Sequence, residues 1–434
     1  MRLRRMRRGL ALGAALALTL AACAGDDGGD DPAAQESTDD GATDDGTDDD
    51  GTDDDGSDDG EQASGEPINI GVLTSFTGPF TPWGIQAEAG MQMAADEINA
   101  EGGVDGRMIE LVSADDQNDP DIGITEFERM VEQDGVLAVG GVISSSVGVA
   151  AAQTAEQLEV PLFPVKSGAE GVLTSDSRYT FRTCLPAAPM TAPPLLQYAQ
   201  ENGFERVGVI IADYAWGQSV RASIEDTFAG SDVEVQIEVA PVTETDFTTY
   251  LRSLQEFDPE LIAATGHPPG AGPITIQAAD LGLDVPVTGP YAPLATVFEA
   301  VGEVAYDNYA DYGCADFSSD SYIELATRFA EESEFSFMEA DAVAGYAIVQ
   351  MVADAVANGA ADPVAVADHV RAGSFDMPGY SHTLSWTEWG ELAESRPTLS
   401  IIREQAPPDG VSPGATWYPE VVLIADPVEP YQPE

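Results

Sequence analysis

Lysine is nearly absent from this chain of 434 residues, occurring once as Lys166. Lys and Arg together number 17 against 77 Asp and Glu, a formal net charge of −60. Nucleic acids are gripped by stripes of basic side chains that neutralise phosphates, so a chain this acidic is excluded from that class. Histidine and cysteine are as scarce, at three each. His267, His369 and His382 stand far apart without metal-ligand spacing, and neither a Gly-x-Ser-x-Gly elbow nor a Walker-type loop occurs. The concentrated hints point to holding a molecule rather than reacting with it, so no enzyme, metal or cofactor is expected.

What the chain does have begins at its start. Five arginines in the first eight residues precede an uncharged stretch from Gly9 to Ala22. That stretch is too short to cross a bilayer of about 30 Å and has the pattern of a secretory signal. Leu20-Ala21-Ala22-Cys23 resembles the lipobox of bacterial lipoproteins. The resemblance implies cleavage after residue 22, a diacylglycerol on Cys23, and a protein held on the extracytoplasmic face of the cell membrane. From Ala24 to Glu66 there are 16 Asp, 3 Glu and no basic residue. Such a segment cannot bury enough apolar surface to offset its ordering entropy, so residues 23–66 are expected to form a disordered tether. A flexible chain of that length spans roughly 35 Å, and self-repulsion extends it. The remaining chain stays strongly acidic, which suits a salty setting where screening lengths are short.

The part beyond the tether is too long for one ordinary core, and two lobes are expected. Strand-like and helical stretches alternate: Ile68 to Phe76, then a helix from Gly84 to Asn99; Met108 to Ala114, then Pro120 to Gln133; Val136 to Val142, then Ser145 to Leu158; and Val160 to Val165. Near-continuous apolar strands between helices indicate a parallel sheet covered on both faces. The plan restarts at Val207 to Ala212, followed by a helix placing Val220, Ile224 and Phe228 on one face. It continues through Val233 to Val242, a helix near Phe247 to Phe257, Leu261 to Thr265, a helix from Ile274 to Leu281, and Val285 to Gly289. Helices near Ser321 to Glu332 and Met338 to Asn358 follow, with late strands at Leu384 to Trp386 and Val421 to Ala425.

Several stretches occur together in a recognisable order. They include Thr77-Gly78-Pro79 with Trp83-Gly84, Asp96-Glu97-Ile98-Asn99 with Gly102-Gly103-Val104-Asp105-Gly106, Asp115-Asp116 with Asp119-Pro120, Gly140-Gly141 before Ser144-Ser145-Ser146, Phe181-Arg182-Thr183, Asp246-Phe247-Thr248, and Gly289-Pro290. On these, the chain from Ile68 to about Trp389 resembles the leucine/isoleucine/valine-binding proteins, a branch of the type I periplasmic binding proteins. The resemblance implies an α/β fold of two doubly wound parallel-sheet lobes joined by a three-segment hinge. One lobe would comprise 67–183 plus 314–382, the other 184–313 plus 383–434. It also implies a monomer that closes on a small-molecule solute and delivers it to an ABC permease. A sensor that reports ligand occupancy to a membrane partner is the rival, since the same clamshell would serve.

Ser144-Ser145-Ser146 follows an apolar strand and opens a helix, where free backbone N–H groups and the dipole favour an anion. A single serine would suffice for capping. The resemblance places a ligand carboxylate on Ser144, the backbone of Val165, and Ser167. It matches Trp83 and Trp216 to aromatic positions on opposite lobes, able to sandwich a solute and exclude water. The carboxylates that take the ligand's ammonium in the family are replaced by Tyr291 and Ala187, and a ligand-facing tyrosine by Gly266, beside His267. A buried ammonium without a carboxylate is costly, so the solute is expected to be a small carboxylate or amide with an apolar or aromatic body. Lys166 could add a cation for a second acidic group, but alternation along the strand end is expected to point it away. Cys184 and Cys314 fall where the family's crossing segments run side by side, which implies a disulfide stapling the hinge, permissible after export.

Overall fold

A computed structural model describes residues 65–265, 271–290 and 293–433, all within one compact unit. Cys23, the signal segment and nearly all of the tether lie outside the described residues, as do Gly266, His267 and Tyr291. Two sheets organise the rest. The first contains β1 (Ile68–Thr74), β2 (Ile109–Asp115), β3 (Ala138–Gly140) and β4 (Leu162–Phe163) in the order β2-β1-β3-β4, all parallel. Between them run α1 (Thr81–Ala100), α2 (Pro120–Glu132) and α3 (Ser145–Leu158). β1 is buried along six of its seven residues because it is covered on both faces. Ile70 and Val72 join the cluster of Met91 and Ile348, while Leu73 joins Phe127, Met130 and Val147 of α2 and α3.

The second sheet is built from β5 (Arg206–Ala212), β6 (Glu234–Ala240), β7 (Leu261–Thr265), β8 (Val287–Pro290), β9 (Tyr309–Gly313), β10 (Thr398–Arg403) and β11 (Tyr418–Ile424). Its order is β11-β10-β9-β8-β7-β5-β6. The strands from β5 to β9 run parallel, and β10 and β11 close the edge antiparallel. Its helices are α4 (Ala192–Glu201), α5 (Ala215–Phe228), α6 (Thr248–Phe257), α7 (Ala271–Asp280) and α8 (Leu294–Val301).

Three later helices, α9 (Asp320–Glu332), α10 (Ala340–Ala357) and α11 (Pro363–Ala372), return to the first sheet. α10 is long and apolar enough to span a membrane, yet 83 % of it is buried inside the fold; an all-round apolar helix is here a core helix. It lies directly on α1. A Cβ at Gly90 would stand 1.9 Å from the Ala342 carbonyl oxygen, and one at Gly345 2.0 Å from that of Ala87. Two side-chain-free positions therefore let the helix backbones touch.

The chain passes between the sheets three times, near residues 182–185, 313–315 and 396–398. Thr398 Oγ1 donates to Ala315 O at 2.6 Å, joining the third passage to the second, while Thr183 N–H anchors the first passage to Pro164 O at 3.3 Å and Ser381 Oγ anchors the third through Arg396 O at 2.6 Å. Cys184 and Cys314 are disulfide-bonded, with Cα atoms 5.3 Å apart and 130 residues between them in sequence. Residues 384–386 contribute single bridges rather than a strand. That segment packs instead on the first crossing, where Trp386 Nε1 donates to Arg182 O at 2.7 Å and its ring meets Phe181 edge-on.

Candidate ligand-binding cleft

In the first sheet the strand order reverses between β1 and β3, and in the second between β5 and β7. Such switch points open a crevice beyond the carboxyl ends of the strands. The loops leaving those ends meet. Phe80, at the start of α1, packs on Tyr214, at the start of α5, with ring centroids 5.7 Å apart. The Glu170 N–H donates to Ser219 Oγ at 3.5 Å.

Ser144 stands at the N-cap of α3 in extended conformation, but its hydroxyl makes no capping bond to the helix. It is 1 % exposed, and among the described residues Oγ has no hydrogen-bond partner. Burying a hydroxyl without a partner costs about 1–3 kcal/mol. Ser145 is structural, its Oγ accepting from Ala169 N–H at 3.2 Å, and Ser146 is half-buried. Ser167 Oγ donates back to Ser144 O at 3.1 Å, keeping the two loops in register and leaving lone pairs open. Val165 N–H donates to Val142 O and its carbonyl accepts from Leu185 N–H, so its amide is spent within the fold. Thr74 Oγ1, at the end of β1, is a further buried hydroxyl without a partner among the described residues.

Both tryptophans flank the segment after β4. Trp216 lies over Gly168, where a Cβ would come within 2.2 Å of its ring, and its Nε1 donates to Thr265 Oγ1 at 2.8 Å. Trp83, in the first turn of α1, faces Lys166, whose Nζ is 5.7 Å from its ring centroid. Lys166 thus turns into the site instead of away from it. β4 ends at Phe163, so the strand alternation that would have directed the lysine outward has already stopped.

Nζ of Lys166 pairs with Asp341 Oδ1 at 3.3 Å, both side chains being nearly inaccessible. Burial drives the Asp341 carboxyl up to about 6, against the pull of Lys166. Two residues earlier, Glu339 links the lobes: Leu294 N–H donates to its Oε2 at 3.1 Å and Ala295 N–H to its Oε1 at 2.7 Å, both at the start of α8. Its own N–H donates to Gln86 Oε1 at 3.3 Å. Burial, with Asp311 and Asp341 nearby, pushes Glu339 up to about 8 despite those two N–H donors. Neither acid stood out in the sequence, where acids opening an apolar helix read as ordinary first-turn residues.

Arg182 holds the corner from below. Fully buried, it donates to the Ser167 carbonyl, to Ala169 O at 2.8 Å, and to Glu391 Oε2 at 3.0 Å. The loop carrying Ser167 and Gly168 is therefore fixed by a charged side chain rather than by strand pairing. Ala187 is buried beside it. His369 lies apart on α11, 2.7 Å from Asp354 Oδ2, and His382 is buried elsewhere, pushed down to about 4 by burial and Arg396.

Two doubly wound lobes, three crossings and a crevice between strand ends define a solute-binding clamshell. The chain belongs to the periplasmic binding protein family, whose pattern matches residues 67–394; within it, the kinship is with the leucine/isoleucine/valine-binding branch of type I proteins, which bind substrates and are not enzymes. The Leu/Ile/Val-binding protein BraC3 of Rhizobium johnstonii is 25 % identical over 343 residues, covering 78 % of this chain and 92 % of its own. The leucine-, isoleucine-, valine-, threonine-, and alanine-binding protein of Pseudomonas aeruginosa is 25 % identical over 345 residues, covering 76 % and 88 %. Among solved structures, a leucine binding protein from Thermotoga maritima superposes with a TM-score of 0.70 at 21 % identity, covering 84 % of this chain and 99 % of its own. An R. palustris solute binding protein of an ABC transporter, in complex with benzoate, does so with a TM-score of 0.70 at 17 % identity, covering 84 % and 98 %.

Proposed function

We propose that this is an extracytoplasmic solute-binding lipoprotein that captures a small carboxylate- or amide-bearing solute, similar in size to a branched-chain amino acid, and delivers it to an ABC importer. The observation that carries this reading is the Ser144 hydroxyl, buried and unpartnered at the N-terminus of α3. A ligand carboxylate there gains a hydroxyl donor and the positive end of a helix. Trp83 and Trp216 supply the apolar walls, with Ser146, Ser167, His267 and Tyr291 completing the lining and Ser145 and Val165 holding the loops behind it. The relatives support the same range of ligands, since their names include leucine-type amino acids and one structure holds benzoate. Cys23 would carry the lipid that keeps a monomeric receptor beside its permease.

Mass spectrometry of what co-purifies, followed by calorimetry with leucine, benzoate-type acids and short amides, tests the reading. At least one should bind, and Ser144→Ala should weaken it by about tenfold, the loss of one hydrogen bond to a charged group. No binding by any of the three groups would refute it. Intact mass of the membrane fraction, compared with Cys23→Ser, tests the anchor.

A further inference from the structure

We propose that Lys166 and Asp341 are the specificity-determining pair of this cleft, with Asp341 receiving an ammonium or amide N–H that the solute carries beside its carboxylate. The inference rests on the preceding reading, that the Ser144 corner holds the carboxylate. Three observations converge on it. The chain's single lysine has its Nζ 3.3 Å from Asp341 Oδ1 and 5.7 Å over the Trp83 ring, at the loop that also bears Ser167 and Gly168. Tyr380 Oη, like Ser144 Oγ, is buried without a hydrogen-bond partner among the described residues, and Asp341 Oδ1 meets Lys166 Nζ with no hydrogen bond from another group among them. The start of α10 meets the early turns of α1, where Glu339 N–H donates to Gln86 Oε1 at 3.3 Å and the helices touch through Gly90 and Gly345.

A buried ion pair is a poor structural device, since apolar residues of like volume usually hold a fold as well or better. This one lies next to the loop that bears Ser167, beside the candidate anion corner. The pair is neutral, so a bare carboxylate entering the closed cleft adds an uncompensated negative charge next to Asp341. A solute that also brings an N–H donor reverses that sign: Asp341 gains a bond and the site approaches neutrality. A dicarboxylate is the worst case, because its second group meets Asp341. The acid thus enters from the start of α10, at a position far along the sequence from Ala187 and Tyr291.

The experiment is calorimetry on the folded chain with two matched pairs, leucine against 4-methylpentanoate and phenylglycine against phenylacetate, for wild type, Asp341→Asn and the doubly neutral K166M/D341N. In at least one pair the amino member should bind on the order of 100-fold more tightly to wild type. Both variants should collapse that ratio toward unity: in K166M/D341N the bare acid keeps its affinity while the amino member weakens, and in Asp341→Asn the bare acid also gains, because the opposing charge is gone. Melting curves establish folding, and the double variant keeps the local charge balance. Equal binding within both pairs, or an Asp341→Asn loss shared equally by amino and bare acids, would overturn the pair's role while leaving a carboxylate receptor intact. If no compound of either kind binds, the carboxylate reading itself falls, and this inference falls with it.

Discussion

Replacing Glu339 by glutamine should flatten a fall in stability expected between pH 6.5 and 8. Glu339 is pushed from an ordinary value near 4.5 up to about 8. The sign follows from proton counting. Within this window the folded state keeps the proton on Glu339 while the unfolded chain has lost it, so stability declines as pH rises toward the folded value. Each unit is worth about 1.4 kcal/mol, and the decline saturates near pH 8, so the loss amounts to about 2 kcal/mol. Two other displaced groups leave only tails in this window: Asp341, raised to about 6, is mostly ionised by pH 6.5 and adds a small decline of the same sign, while His382, lowered to about 4 from 6.5, is still losing its proton in the unfolded chain and adds a rise of the opposite sign, smaller than the Glu339 decline. The groups facing Glu339 are Asp311, Asp341, Tyr309 and Tyr322. The tyrosines are raised well above their ordinary values and stay protonated throughout. Urea denaturation at half-unit pH steps should show the slope in wild type and little of it in Glu339→Gln, whatever the variant's absolute stability. The same slope in both proteins would show that the proton resides elsewhere.

Other perturbations have comparably defined outcomes. Gly168→Ala places a Cβ within 2.2 Å of Trp216, a strain of about 1–3 kcal/mol; the melting temperature should fall, and solute affinity measured by calorimetry on the folded variant should fall with it, whereas no change in either would show that the ring does not press on the loop. Cys184→Ala/Cys314→Ala opens a bridge between residues 130 apart in sequence; chemical denaturation should show a loss of about 2–5 kcal/mol, and an unchanged midpoint would contradict it. Arg182→Met leaves Glu391 buried without its cation and frees the carbonyls of Ser167 and Ala169. It should destabilise the fold by about 3–5 kcal/mol and also weaken solute binding, whereas full affinity in a folded variant would show that Arg182 does not position the corner.

Much of the fold was legible in local pattern. The helix at Ser145–Leu158 and the strand at Leu261–Thr265 have the bounds that their apolar runs and flanking turns indicate. Local pattern failed where context decides. α4 begins with two prolines, and β10 has no regular alternation, so neither was visible. Leu384 to Trp386 has strand composition but lies on the first crossing, where Arg182 and Phe181 engage it and its pairing stops at single bridges, Leu384 with Phe375 and Trp386 with Leu392.

By itself the sequence determined the charge, the alternation of strand and helix, and the serine run at a helix start, because these depend on residue type and near neighbours. The tertiary structure alone decided which acids matter. Glu339 and Asp341 look like ordinary residues opening a helix until folding places one on the N–H groups of α8 and the other beside Lys166. Lys166 likewise changed direction once β4 stopped short of it. Charge burial depends on what distant segments bring to the same spot, and that information is absent from any local stretch of the chain.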